Sequence, residues 1–340
     1  MTRLSLAASL LALAAASPAL AQDKTLTISV YGIAQDAYDV ALYKPFEAKC
    51  GCKLVIETGN SSERLAKLEA NAAAPVVDVI AFSDANALDA AKKGLLAPLD
   101  PAAIPSLGQI YDFAKDPVGD NMAVGYTFYG TSIVYRSDVV KIESWLDLFK
   151  PELAGQVALP NITTTQGPIT LFMLEKALGK DDPDFADAID LVAEHKGDIV
   201  TFYERGSQIP QLLQQEEIMA AVVGRFGWAN IAKLGLPVEW AKPKEGQTGG
   251  MNVLAMVKGA KDPALAQEFI DYWLSAEVQQ KLAEGLVDSP VNTSVKVDDV
   301  IAEGLTYGAD TAAAIHFLPA EQQLTNREAW LAGWNAKVAQ

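Results

Sequence analysis

Two guanidinium groups stand where they could hold an anion. Arg225 lies in Gly224-Arg225-Phe226-Gly227-Trp228-Ala229, directly after the apolar run 218–224. Arg205 follows Tyr203-Glu204. A guanidinium pairs bidentately with a carboxylate or a phosphonate. Thr163-Thr164-Thr165-Gln166-Gly167 opens a helix-like run, and free N–H groups at a helix start also favour an anion. Asn60-Ser61-Ser62-Glu63 and Phe82-Ser83-Asp84 are cap-like turns after two strand-like runs. Tyr31 and Asp84 would add an aromatic wall and a negative charge. An Arg-lined end and an Asp-lined end suit a small zwitterion, such as an amino acid with a distal amine or an aminophosphonate. Each residue also has an ordinary role open to it: a surface ion pair for an arginine, a helix cap for Ser or Thr.

Nothing comparable points to catalysis. The two histidines are His195, at the polar helix end Glu194-His195-Lys196-Gly197, and His316, in an apolar run. Neither neighbours a nucleophile motif. G-x-S-x-G, the Walker phosphate loop, the Gly-rich dinucleotide fingerprint and H-E-x-x-H are absent. No carboxylate spacing singles out an acid–base pair. The expectation is a binding protein, not an enzyme, without a cofactor or metal. Cys50 and Cys52 are the only cysteines, and without a nearby His they make no closed zinc site. A local disulfide suits an oxidising compartment, with free thiols as the alternative. A formal net charge of −16 disfavours nucleic acid and anionic membrane as partners.

These residues need elements to carry them. Residues 25–31 alternate, with Leu26, Ile28 and Val30 on one face. Helix 41–49, strand 52–57, helix 64–71, strand 76–82 and helix 86–93 follow. That order predicts a mostly parallel sheet wrapped by helices. A second run holds strand 156–159, helices 167–178, 185–194 and 208–215, and strand 218–223. After strand 252–257, Asp262 and Pro263 start a helix with an apolar stripe of Leu265, Phe269, Ile270, Trp273 and Leu274. The tail 310–340 is amphipathic and carries Trp330 and Trp334. At the other end, residues 1–21 combine Arg3, an apolar run from Leu4 and the closing Ala19-Leu20-Ala21. They read as a secretory signal cut before Gln22, with no cysteine there to take a lipid.

Several segments together resemble the extracellular solute-binding proteins of ABC importers, in the branch of the polyamine, thiamine and GABA receptors. They are the run from Tyr129 to Asp138 (YGTSIVYRSD), the run from Ser144 to Pro160 (SWLDLFKPELAGQVALP), Pro243-Lys244-Glu245-Gly246, the run from Ala266 to Leu274, and Ser289-Pro290-Val291-Asn292. The similarity spans essentially the whole chain after residue 21, and the Trp145 block is its most specific part.

The resemblance implies an α/β, periplasmic-binding-protein-like fold of type II, with a small-molecule ligand between two lobes and an ABC transporter membrane permease as partner. Lobe 1 would be 22–128 plus about 253–300, and lobe 2 would be 129–252 plus about 301–340. Tyr129-Gly130-Thr131 falls where the chain passes between them, so Tyr129 and Thr131 join the candidate ligand contacts. The family's Trp-containing turn after strand 218–223 adds Phe226 and Trp228 to Arg225. Polyamine receptors of the branch place an aromatic-x-Asp after the Glu-Gly element. Here those positions hold Gly250 and Asn252, which disfavours a polyamine. Related ferric-ion receptors use neighbouring tyrosines, whereas Tyr203 stands alone; iron ranks third, and an exported hydrolase is the remaining alternative. A periplasmic monomer is expected.

Overall fold

The structure, a computed structural model, describes residues 24–339. The leader-like segment 1–21 lies outside the described residues. Eleven strands are β1 (Thr25–Val30), β2 (Lys53–Thr58), β3 (Val79–Ser83), β4 (Leu96–Ala97), β5 (Val124–Arg136), β6 (Val157–Pro160), β7 (Ile199–Tyr203), β8 (Ala220–Gly224), β9 (Val238–Trp240), β10 (Gln247–Val257) and β11 (Ile315–Phe317). They form one sheet in the order β2-β1-β3-β10-β5-β8-β6-β7. β4 and β11 pair with β10, and β9 pairs with β5.

The sheet is parallel within each half and antiparallel in the middle. β1 runs parallel to β2 and β3, and β6 runs parallel to β7 and β8. Between them β10 and β5 run antiparallel to each other and to their outer neighbours. The expected mostly parallel sheet is therefore corrected to a mixed one. The reason is connectivity: these two strands carry the chain from one half to the other, so helical crossovers do not set their direction.

β5 spans 13 residues and β10 spans 11. The front of β5 pairs with the back of β10, and the back of β5 pairs with β8. The two halves thus share a continuous ladder.

Each half has its own core. One gathers Leu26, Ile28, Phe46, Phe82, Phe128, Leu254, Phe269 and Trp273. The other gathers Ile133, Trp145, Leu159, Leu174, Phe185, Val222, Trp330 and Trp334. A smaller cluster with Val134, Tyr203, Ile209 and Val223 covers the opposite face of that sheet. Local chemistry sets the helices that pack there. The Asp262 carboxylate accepts from the Leu265 N–H at 3.0 Å, and Pro263 follows as the first helical residue of Pro263–Leu274. That helix buries Leu265, Phe269, Ile270, Trp273 and Leu274. The tail packs its Trp330 ring on Phe185 at 4.8 Å.

Two of the recurrent motifs meet in space. Trp145 is fully buried, and its Nε1–H donates to the Gly246 carbonyl at 2.9 Å. The Ser144 hydroxyl donates to Glu245 at 2.6 Å. The Trp145 block therefore pins the Glu-Gly turn that launches β10 toward the middle of the sheet. Cys50 and Cys52 form a disulfide, with Cα atoms 5.2 Å apart, at the end of the helix Lys44–Cys50.

Candidate functional site

A cleft of about 630 Å³ opens at the ends of the central strands. Its lobe-1 wall carries Tyr31, Tyr38, Asn60, Ser61, Ser62, Ser83 and Asn86. Its far side carries Thr165, Arg225, Phe226 and Ala229. The crossover strands β5 and β10 supply Tyr126, Thr127, Phe128, Tyr129 and Asn252, and the segment 286–289 closes the floor.

The serines sit there because turns end strands there. Asn60 caps the helix Ser61–Ala70, with Oδ1 accepting from the Glu63 N–H at 2.9 Å. The Ser61 hydroxyl accepts from the Ser83 N–H at 3.0 Å, joining two neighbouring turns. Ser83 caps the helix Asp84–Lys92 and donates to Asn86 Oδ1 at 2.9 Å. Tyr31 is held by a neighbour the sequence did not reveal. The buried Arg64 guanidinium lies 4.0 Å from its ring centroid and donates to the carbonyls of Gly59 and Ala81.

Arg225 reaches the cleft from the turn after β8. Its Nε–H donates to the Leu305 carbonyl at 3.3 Å, and Nη2 donates to the Glu303 carbonyl at 2.5 Å. Trp228 and Trp240 stand 5.2 Å and 4.7 Å from it. Burial lowers its pKa to about 10, so it stays cationic at neutral pH. Of the five guanidinium N–H groups, these two bonds leave three for a ligand.

Phe226 is 64% exposed and meets Tyr129 edge-on at 5.4 Å. Its ring fills the space beside Gly224 that a Cβ would need. Tyr129 interacts with Thr165, and burial raises its pKa.

The other predicted residues fall elsewhere. Asp84 and Thr164 line an adjoining recess of about 210 Å³, together with Gln323 and Arg327. Asp84 accepts from its neighbour's Ala85 N–H at 2.8 Å and from Gln323, while burial pushes its carboxyl up to about 6. Thr164 is a cap, accepting from the Gly167 N–H at 3.1 Å. Gln166 is buried in the first turn of the helix Gln166–Ala177. Thr131 is fully buried between the halves. Tyr203 is core, its hydroxyl donating to the Val222 carbonyl at 2.6 Å. Arg205 is exposed and lies outside the cleft lining. Trp228 reaches the cleft only by flanking Arg225.

Sequence reasoning missed Tyr38, Tyr126, Thr127 and Asp288. The Tyr38 hydroxyl donates to Asp288 Oδ2 at 2.7 Å. Burial pushes the Asp288 carboxyl up to about 7. The signal was present in the run before Ser289-Pro290, where an acid stands in an otherwise apolar stretch. Among the described residues no group of three or more His, Cys, Asp or Glu side chains could hold a metal.

Two α/β halves joined by paired crossover strands, with a polar and aromatic cleft between them, define a two-lobed binding protein of type II. The model of the bacterial extracellular solute-binding protein family matches residues 41–337, and the chain belongs to that family. The γ-aminobutyric acid-binding protein of Pseudomonas aeruginosa is 28% identical over 306 residues, 84% of this chain and 82% of its own. The putrescine-binding periplasmic protein of Escherichia coli is 27% identical over 270 residues, 70% of this chain and 71% of its own. A solved structure of an ABC transporter from Clostridium perfringens superposes with a TM-score of 0.86 at 30% identity, covering 92% of this chain and 99% of that one.

Proposed function

We propose that this chain, the solute-binding component of an ABC transporter, captures a small zwitterion. The class is a GABA-like amino acid with a distal amine, or an aminophosphonate. The observation that carries this reading is Arg225, a buried cation facing a cleft otherwise walled by tyrosines. Its free N–H groups suit the carboxylate end. The faces of Tyr31, Tyr38 and Tyr126 suit an ammonium end. A polyamine would bring two or more positive charges toward Arg225, which disfavours it. The tyrosine wall nevertheless makes a polyamine the second reading.

Capture proceeds by closure of the lobes and involves no chemical step. We assign lobe 1 to 22–128 plus about 253–300 and lobe 2 to 129–252 plus about 301–340. Ala312 and Ile315 pack in the first core and favour moving the last boundary toward 315. The protein would work as a periplasmic monomer, exported by residues 1–21, and deliver its ligand to the membrane permease.

Thermal-shift titration of the purified protein with GABA, aminophosphonates, putrescine and spermidine tests this. A true ligand at a hundred times its Kd stabilises by about 2.7 kcal/mol. GABA or an aminophosphonate should raise the midpoint. A response to putrescine or spermidine alone would replace this reading with the second.

A further inference from the structure

We propose that Asp288, caged by Tyr38, Tyr126 and Thr127 in the floor of the cleft, anchors the primary ammonium group of the ligand. This inference rests on the reading of the chain as a receptor for an amine-bearing solute.

The sequence pointed to Asp84 as the negative end, but the structure gives Asp84 a different setting. Its carboxylate is engaged by Ala85 and Gln323 and lines the adjoining recess, outside the main cleft. Asp288 lines the main cleft and is only 6% exposed. No lysine or arginine pairs with it among the described residues. A buried carboxylate without a countercharge is costly, and a cation arriving from the cleft removes that cost.

The surroundings fit a primary ammonium. Tyr38 donates to one carboxylate oxygen, and the Thr127 hydroxyl is shared between Asp288 and the Ser289 carbonyl. A carboxylate has about four acceptor sites, so room remains for an ammonium with three donors. The rings are fixed from behind. Trp273 packs on Tyr38 at 5.4 Å and on Tyr126 at 4.7 Å, so the cage is built before a ligand enters. Aromatic faces beside a carboxylate attract a cation and exclude water.

The same setting couples binding to a proton. The groups facing Asp288 are Tyr38 and Tyr43 from the helical segment 35–43 and Tyr126 from β5, all neutral near pH 7. Arg64, beside Tyr126, is engaged by the carbonyls of Gly59 and Ala81. With its carboxyl at about 7, Asp288 is half protonated at neutral pH. Binding an ammonium requires the ionised form, so the proton leaves to solvent.

The test is titration calorimetry on wild type and Asp288→Asn with n-butylamine, putrescine, GABA and butyrate. Runs at pH 6 and 8, and at pH 7 in two buffers of different ionisation heat, complete it. Amine-bearing probes should bind wild type about tenfold more tightly at pH 8 than at pH 6. They should release protons at pH 7 and lose at least tenfold in affinity in D288N; butyrate should not distinguish the two proteins. An amine-bearing probe that binds both proteins equally overturns the proposal, as does failure of every such probe to bind wild type. Should D288N fail to fold, proton release by wild type alone decides, and its absence on amine binding overturns the anchor. Putrescine binding that depends on Asp288, without GABA binding, removes the zwitterion reading and keeps the anchor. GABA binding indifferent to D288N does the reverse.

Discussion

The Tyr129 phenol lies in the space that a side chain at Gly250 would occupy; the two residues are register partners on β5 and β10. The aromatic wall that related receptors carry on the return strand is here carried by the outgoing one. Gly250 is the concession that makes this possible, since any Cβ there would overlap the ring.

Gly250→Ala should therefore push Tyr129 away from Thr165 and Phe226. Ligand affinity should fall at least tenfold, with a drop of a few degrees in the thermal midpoint, as for overpacking costs of about 1–3 kcal/mol. Calorimetry with the ligand from the thermal-shift panel checks it. Unchanged affinity would show that the Tyr129 ring is no part of the binding wall.

Arg225→Lys keeps the charge but loses the planar group seated between Trp228 and Trp240. It also loses one of the two bonds to the 303–305 segment. Affinity for a carboxylate-bearing ligand should fall at least tenfold, because an ammonium cannot pair bidentately. A Lys variant with wild-type affinity would remove the guanidinium from ligand recognition.

Burial holds Asp84 at about 6 and Asp288 at about 7, against an ordinary value of 3.8. Both folded-state values are raised, so the folded protein binds these protons more tightly than the unfolded chain does. Their contribution to stability therefore falls as pH rises from about 4 to about 7. Asp84→Asn and Asp288→Asn should each flatten that fall. At pH 8 without ligand, each variant should be more stable than wild type by about 1–3 kcal/mol, and the gain should vanish near pH 4. Midpoints measured across that range decide it, and a gain that ignores pH would contradict the account.

Removing the disulfide with Cys50→Ser and Cys52→Ser together should matter little. The bridge closes a very short loop, so the unfolded chain regains little freedom, on the order of 1–2 kcal/mol. Neither cysteine lines the cleft, and ligand affinity should stay within twofold of wild type. A large affinity change on denaturant-free titration would tie the bridge to the site.

Much of the architecture was legible because its determinants are local. Alternation in residues 25–31, the Asp262-Pro263 start and the turn after residue 223 all act within a few residues of themselves. Ser61, Ser83, Tyr129, Arg225 and Asn252 were readable for the same reason, since each sits at or near an element end that points to the cleft. Tyr203 misled because an aromatic at a strand end can face either way, and here its hydroxyl found the Val222 carbonyl. Asp288 was missed because its significance is wholly non-local. It depends on Tyr38, 250 positions away in sequence, and on the burial that only the assembled floor creates. Strand β7 escaped notice because only Tyr203 in it is buried, leaving no clean period to read.

The register of β10 against β5 shifts between Asn252 and Val253. Asn252 also faces the cleft and is paired with Ser83 on the other side. A joint made of two loops would let the lobes swing and slide in many directions. Two hydrogen-bonded straps resist sliding and leave bending as the soft coordinate, and a bulge is where a ladder bends most easily. The molecule thus places a cleft-lining amide on its own crease, so that filling the site and setting the angle between the lobes act on the same few atoms.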